Sequence, residues 1–389
     1  MPPLRLTGAH ILRDGVMQQK SIGLAEGKIT RGPLPEVDLS GFLILPGIID
    51  LHGDGFERQM VPRPSAPFPL AAGLASFDRE AAAHGVTTAY LAQGWSWEGG
   101  QRGPDHAEAV MVALDDYRGH ALTDLRLQIR AETHLVSETA RLIAAVKRHR
   151  IDYVVFNDHL SEGLHMARIA PTDFATWARK VGKTAEELID AIEAAAARAR
   201  DVPRSLCTLA EAFDAMGVLY GSHDDPDGET RERYSMIGAK IAEFPLSRRA
   251  AAAAHAMMSP VIMGAPNVVR GRSQAGNISA QALVADGLCD VLVSDYHIPA
   301  LPMAVWAMTD SGLLSLPQAW AMVSSRPADI MRLADRGRLD QGLRADMVLV
   351  NARTRVIEAT ISGGRMSYLA GEAARRFLAQ PEALRVAAE

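Results

Sequence analysis

From about residue 44 to residue 294, short apolar runs alternate with longer Ala-rich stretches of helical period. Eight runs read as strands: Ile44–His52, Val86–Gln93, Leu125–Glu132, Tyr153–Asn157, Val218–Ser222, Ile241–Pro245, Val261–Ala265 and Val291–Ser294. Ala71–His84, Glu138–Arg150 and Thr184–Arg200 read as intervening helices, the last opened by a Thr184/Glu187 capping box. Continuous apolar runs separated by helices are the pattern of parallel strands covered on both faces. Eight such units predict an α/β chain built on a (β/α)8 TIM-type barrel. No Gly-x-Gly-x-x-Gly follows an early strand, which counts against an open doubly wound sheet.

The two ends of the chain are different in character. Turn signals at Arg13-Asp14-Gly15 and Glu26-Gly27-Lys28 bracket a short strand, Ser21–Ala25. Near the other end, Gly342, the apolar runs Met347–Val350 and Ile357–Ile361, and the turn Ser362-Gly363-Gly364 repeat that pattern. The expectation is a small β-sandwich domain built from both ends, residues 1–45 and 337–389, around a barrel spanning 46–336. Within the third strand Leu125, Leu127, Ile129 and Ala131 alternate with Arg126, Gln128, Arg130 and Glu132. The polar set should face the barrel interior, with Glu132 at the C-terminal strand end where barrel enzymes carry their chemistry.

Composition narrows the function. The chain is 48% hydrophobic, which excludes disorder, and its 41 Lys plus Arg against 46 Asp plus Glu leave a net charge of −5. That balance argues against nucleic-acid binding. Cys207 and Cys289 are too few for a disulfide framework, so a cytoplasmic setting is expected. The apolar stretch Gly41–Ile49 is broken by Pro46 and Gly47, so no membrane span is expected. A homodimer is the base-rate expectation.

The predicted strand ends carry His52, Asp54, Glu132, His159, His223 and Asp295. His52-x-Asp54 alone reads equally as a turn with a capping Asp. Recurrence of His and carboxylates at strand after strand favours a divalent ion held by nitrogen and oxygen. Asp224 follows His223 directly. A second set, Arg63 and then Asn267, Arg270, Arg272 and Asn277 in the Gly- and Asn-rich stretch after the seventh strand, could surround anionic oxygens or form a solvated basic loop. Glu243 reads either as one half of an inward ion pair or as a ligand.

With these residues in view, the chain resembles the amidohydrolase superfamily and, within it, the PhnM-type diphosphatases of phosphonate metabolism. The resemblance rests on LPGIIDLHGDGFERQMVPRP (45–64), SHDD (222–225), IAEFP (241–245), MGAPNVVRGRSQAGN (263–277) and SDY (294–296), with RADMVLV (344–350) as a less specific closing segment. It implies a distorted barrel and a metal-dependent hydrolase. The implied reaction cleaves the 5-triphosphate of alpha-D-ribose 1-methylphosphonate 5-triphosphate, giving the 5-phosphate and pyrophosphate. It also implies His52, Asp54, Glu132, His159, His223 and Asp295 as ligands of one or two ions, zinc first with Mn, Fe or Ni also suited. Asp295 and His223 would be catalytic, and Arg63, Asp224, Asn267, Arg270, Arg272 and Asn277 would meet a small phosphorylated sugar phosphonate. Two motifs depart from the family's wording: His-Thr-Asp-Asn is here His52-Gly53-Asp54-Gly55, and a His becomes Gln274 beside a new Arg272. The competing expectations are an amidohydrolase acting on a cyclic amide, an imide or an N-acyl sugar, and a catalytically silent binding protein.

Overall fold

The computed structural model describes residues 1–63, 66–273 and 276–379. Eight parallel strands form one sheet in sequential order: Ile48–Gly53, Val86–Trp95, Asp124–Glu132, Tyr153–Asn157, Leu219–His223, Ile241–Glu243, Val261–Gly264 and Val291–Val293. The first and last meet where Gly53 bridges Asp295, with Asp54 N–H donating to Asp295 O at 2.9 Å and Asp295 N–H to His52 O at 2.9 Å. The sheet therefore curls into a nearly closed barrel.

Side-chain alternation sorts the two faces. Leu125, Leu127, Ile129 and Ala131 pack outward with Leu114, Leu142 and Val146 of the helical shell. Ile49, Leu51, Tyr153, Val155, Ile262 and Val293 fill the interior. Arg126 and Gln128 point inward and find polar partners there, Asp152 at 2.8 Å and Glu243 at 2.5 Å.

The expected single strand Ile44–His52 is two elements. Phe42–Pro46 pairs antiparallel with Met347–Asn351 in a six-stranded sheet, and Ile48 starts the barrel. Gly47 makes the break: a Cβ there would lie 2.2 Å from Thr87 Oγ1, so only glycine lets the chain pass from one sheet to the other. A four-stranded sheet of Leu4–Thr7, Ile22–Ala25, Lys28–Thr30 and Glu36–Asp38 shares a core with it, Leu6, Leu24 and Ile44 packing with Met347, Leu349 and Ile361. The two ends of the chain thus pair.

A second correction concerns the stretch after the seventh strand, where Ala265–Arg270 is a helix. Pro266 suits its first turn and Gly271, at φ 70°, closes it in the left-handed region. After the fourth strand, Leu160–Ile169, Pro171–Lys180 and Ala185–Ala196 form a helical cap with its own apolar cluster of Phe174, Leu188 and Ile192 against Trp97. The Thr184/Glu187 capping box opens its last helix, which stops at Ala196, short of the expected Arg200. No helix among the described residues is long and apolar enough to cross a membrane.

Candidate active site and metal centre

A cavity of 1080 Å³ opens at the C-terminal end of the barrel, walled on one side by Met166, Thr176, Trp177 and Lys180 of the cap. Three non-glycine residues turn the chain at its floor with positive φ: Asp224 (59°), Phe244 (49°) and Asp295 (54°). Asp224 and Phe244 directly follow barrel strands and Asp295 follows its strand after Ser294, and each still donates its N–H at 2.9 Å to the neighbouring strand, to Glu243, Ile262 and His52 respectively. The ladder is completed while the chain reverses, so local strain is held by the surrounding sheet.

One group of ligand-type side chains lies at the floor. His52, His223 and Glu243 are buried and bring their donor atoms within 4.8 Å of one another. His52 Nδ1 lies 2.9 Å from Glu243 Oε2, and Glu243 Oε1 accepts from the Tyr153 hydroxyl and Gln128 Nε2, each at 2.5 Å. Burial alone would raise the Glu243 carboxyl, but His52 and these donors outweigh it and hold it below its ordinary value. His52 responds in kind: burial presses its pKa down, and Glu243 carries it up on balance. The His223 ring stands 5.2 Å from that of His52, and both lean on Phe244 at 5.0 Å. Burial lowers the His223 pKa, which keeps the ring neutral.

A second group lies beside the cap. Glu98, Glu132 and His159 also bring donor atoms within 4.8 Å of one another. Glu132 accepts from His159 Nδ1, from the His159 backbone N–H at 3.2 Å and from Trp97 Nε1 at 3.2 Å. Burial opposes its ionisation, but His159 and these bonds keep its carboxyl below the usual value. Glu98 accepts from Trp177 Nε1 of the cap at 2.6 Å. Asp54 and Asp295 line the cavity outside both groups. Burial, and then the charge of Asp54, push Asp295 up to about 7.

Both nitrogens of the His223 ring are buried with no hydrogen-bond partner among the described residues, although Asp224 Oδ2 approaches Nδ1 to 3.0 Å out of line for a bond. A buried, neutral and unpartnered imidazole beside a carboxylate and a second imidazole has the donor chemistry of a divalent-ion ligand.

The six residues expected as ligands thus divide: His52 and His223 join Glu243, Glu132 and His159 join Glu98, and Asp54 and Asp295 stand nearby. Of the expected substrate contacts, Asp224, Asn267 and Asn277 line the cavity. Arg63, Arg270 and Arg272 are exposed and outside its lining, and Gln274 lies outside the described residues. The cations at the cavity are instead Arg58, Arg102, Arg130 and Lys180. Among these, Arg130 had a sequence signal, its inward phase on the third strand. Glu98 had none, since it lies beyond the second strand's end and is held by tertiary bonds from Trp177 and Arg102 together with Ser96.

No family model matches the chain. The alpha-D-ribose 1-methylphosphonate 5-triphosphate diphosphatase of Escherichia coli (strain K12) is 32% identical over 330 residues, covering 82% of this chain and 86% of that protein. Among solved structures, the beta-aspartyl dipeptidase of Fervidobacterium islandicum AW-1 superposes with a TM-score of 0.64 at 14% identity, covering 95% of this chain and 98% of that one. N-acetylglucosamine-6-phosphate deacetylase from Pasteurella multocida gives 0.62 at 10% identity, with 94% and 99% coverage. Dihydropyrimidinase from Brevibacillus agri NCHU1002 gives 0.62 at 11%, with 96% and 97%. At such identities these likenesses speak for the fold alone.

Proposed function

Because the chain belongs to the alpha-D-ribose 1-methylphosphonate 5-triphosphate diphosphatase family of the amidohydrolase superfamily and is a hydrolase, we propose that it cleaves the 5-triphosphate of that sugar phosphonate, releasing pyrophosphate and leaving the 5-phosphate. The observation that carries this reading is the 32% identity over most of both chains. The two groups of nitrogen and oxygen donors, with His52 and His223 of one and His159 of the other lining one cavity, support it. The barrel, residues 46–336, is the catalytic domain, and the free cysteines Cys207 and Cys289 suit a cytoplasmic enzyme.

His52, Asp54, Glu132, His159, His223 and Asp295 would hold one or two divalent ions, with Glu243 and Glu98 added as candidates from their grouping. Zinc suits this donor set, as do Mn, Fe and Ni. A divalent ion supplies Lewis acidity, neutralising phosphoryl charge and bringing the pKa of bound water to about 7. The chain's own residues do the rest. Asp295, a carboxylate lining the cavity, can take a proton from the attacking water and return it later. Neutral His223 offers a lone pair toward the cavity floor. Asn267 and Asn277 offer amide donors to phosphoryl or phosphonate oxygens, and Asp224 can accept from a ribose hydroxyl.

The test is to load the protein with Zn or Mn, add the triphosphate, and follow products by phosphorus NMR, with His223→Asn as control. Pyrophosphate that disappears in the control is the expected result. A folded, metal-loaded protein that releases no pyrophosphate overturns the proposal.

A further inference from the structure

Four cations line the cavity, and three of them are engaged elsewhere or solvated. Arg102 faces Glu98 at 3.4 Å and Glu57 at 3.7 Å. Arg58 donates to the Tyr296 carbonyl, and Lys180 is exposed on the cap. Arg130 differs. Its side chain is only 11% exposed, yet no carboxylate lies within hydrogen-bond reach, the nearest being Asp54 Oδ2 at 4.0 Å from Nη1.

Its one anchor among the described residues is neutral. With the Asn157 amide turned so that its oxygen faces the guanidinium, that oxygen accepts from Nε and Nη2 at 3.2 Å each. These bonds fix the plane of the fork and leave Nη1 without a hydrogen bond among the described residues, on a side chain that lines the cavity. The charge of Arg130 is felt by His52 and His223 of one ligand group and by Glu132 and His159 of the other, and by Asp224 and Asp295 as well. The guanidinium lines the same cavity as His52 and His223 of one group and His159 of the other.

Arg130 is nearly buried and its nearest carboxylate, Asp54, stands at 4.0 Å without a hydrogen bond, so an anionic ligand can still gain charge-assisted bonds from the guanidinium. A planar fork with free N–H groups matches a tetrahedral phosphoryl oxygen pair, whereas the neutral carbonyl of an amide offers only one weakly charged acceptor. We propose that Arg130 is a catalytic residue that binds the non-bridging oxygens of the phosphoryl group under attack, and so makes this barrel select phosphoric anhydrides over amides. This rests on the reaction proposed above. There, a water oxygen bonds to the α-phosphorus, the bond from that phosphorus to the α,β-bridging oxygen breaks, and its electron pair leaves with pyrophosphate. The proton from water passes to Asp295. Arg130 meets the negative charge that builds on the non-bridging oxygens, so its contribution belongs mainly to kcat.

The experiment compares wild type with Arg130→Gln, Arg130→Lys and Arg130→Ala, measuring metal content, kcat and KM for the sugar triphosphate, and affinity for inorganic tripolyphosphate by calorimetry. The expected result for Arg130→Gln is unchanged metal content and a kcat lower by about 10²- to 10³-fold with a smaller change in KM. Arg130→Lys, which keeps charge but not the fork, should be nearly as slow, and guanidinium ion should restore part of the activity of Arg130→Ala. A full kcat in Arg130→Gln, or a loss of activity matched by loss of metal, overturns the proposal. If wild type releases no pyrophosphate, the reaction assignment fails, and tripolyphosphate decides the binding role. At least tenfold weaker binding to Arg130→Gln sustains it, while equal binding, or none by wild type, overturns it.

Discussion

Asp295 carries the most quantitative consequence of the site. In the folded, metal-free protein, burial and then the neighbouring Asp54 charge push its pKa up from the ordinary 3.8 to about 7. The folded state therefore holds a proton that the unfolded chain has released, throughout the window from about pH 4 to pH 7. Stability rises with pH only where the unfolded state binds more protons, so here it must fall as pH rises through that window and level off above it. At about 1.4 kcal/mol per tenfold change the full displacement is worth about 4 kcal/mol, which water in the open cavity reduces to about 2–4 kcal/mol. Asp295→Asn removes the ionisation. After exhaustive chelation, urea midpoints of wild type and Asp295→Asn should nearly coincide at pH 4 and separate by about 2–4 kcal/mol at pH 8, the variant being the more stable. At about 2.1 cal/mol/K per residue this is a difference of about 2–5 °C in melting temperature. Asp54→Asn should shrink the gap, because the second cause of the shift is gone. Restoring divalent ions should reverse the order, since an ion favours the carboxylate. A gap that is the same at pH 4 and pH 8 would refute the reasoning.

Three other perturbations test the framework around the site. Gly53→Ala puts a Cβ 2.8 Å from Ser294 Oγ and 3.0 Å from Asp50 Oδ2 at the barrel's closing seam, so it should cost about 1–3 kcal/mol in a denaturant melt. Combining it with Ser294→Ala should recover part of the loss, and strict additivity would show that the clash is elsewhere. Arg231, fully buried behind His223, donates to Ser222 Oγ at 2.6 Å and Ile241 O at 3.1 Å and faces Asp225 at 3.4 Å. Arg231→Met leaves Asp225 buried with the Ser222 hydroxyl but without its cation and should destabilise by about 3–5 kcal/mol, read as a shift in urea midpoint. Trp177→Phe removes the bond to Glu98 that ties the cap to the barrel. Amide exchange across 160–196 should then quicken by about five- to tenfold while barrel strands stay protected, and unchanged exchange would mean the cap is held by its apolar contacts with Trp97.

The barrel was legible because parallel strands covered on both faces leave near-continuous apolar runs: seven of the eight runs correspond to strands with ends moved by no more than two residues, and the first contains a barrel strand that starts four residues later, at Ile48. What was hidden depended on tertiary contact. Ile44–His52 is uniformly apolar, so nothing local announces that Gly47 hands the chain from one sheet to another; the reason is Thr87, forty residues away. Pro266 and Gly271 frame a helix that Asn and Arg content disguised as a loop.

The same division governs the site. Histidines and carboxylates at strand ends could be located because barrel topology gathers those ends. Arginines chosen by loop composition do not form the cavity wall: Arg63, Arg270 and Arg272 are exposed, Arg270 reaching the hydroxyl of cavity-lining Tyr296 at 3.3 Å, and in solvent a charge at 4 Å is worth about 1 kcal/mol. Arg130, by contrast, sits on an inward strand phase in a low-dielectric wall, where the same charge acts several times more strongly and must be met by something. Strand phase, rather than the density of basic residues, is therefore what locates the cation that matters in a barrel of this kind. It follows that the polar half of an alternating strand, whose side chains the barrel turns inward, is where chemistry is to be sought first.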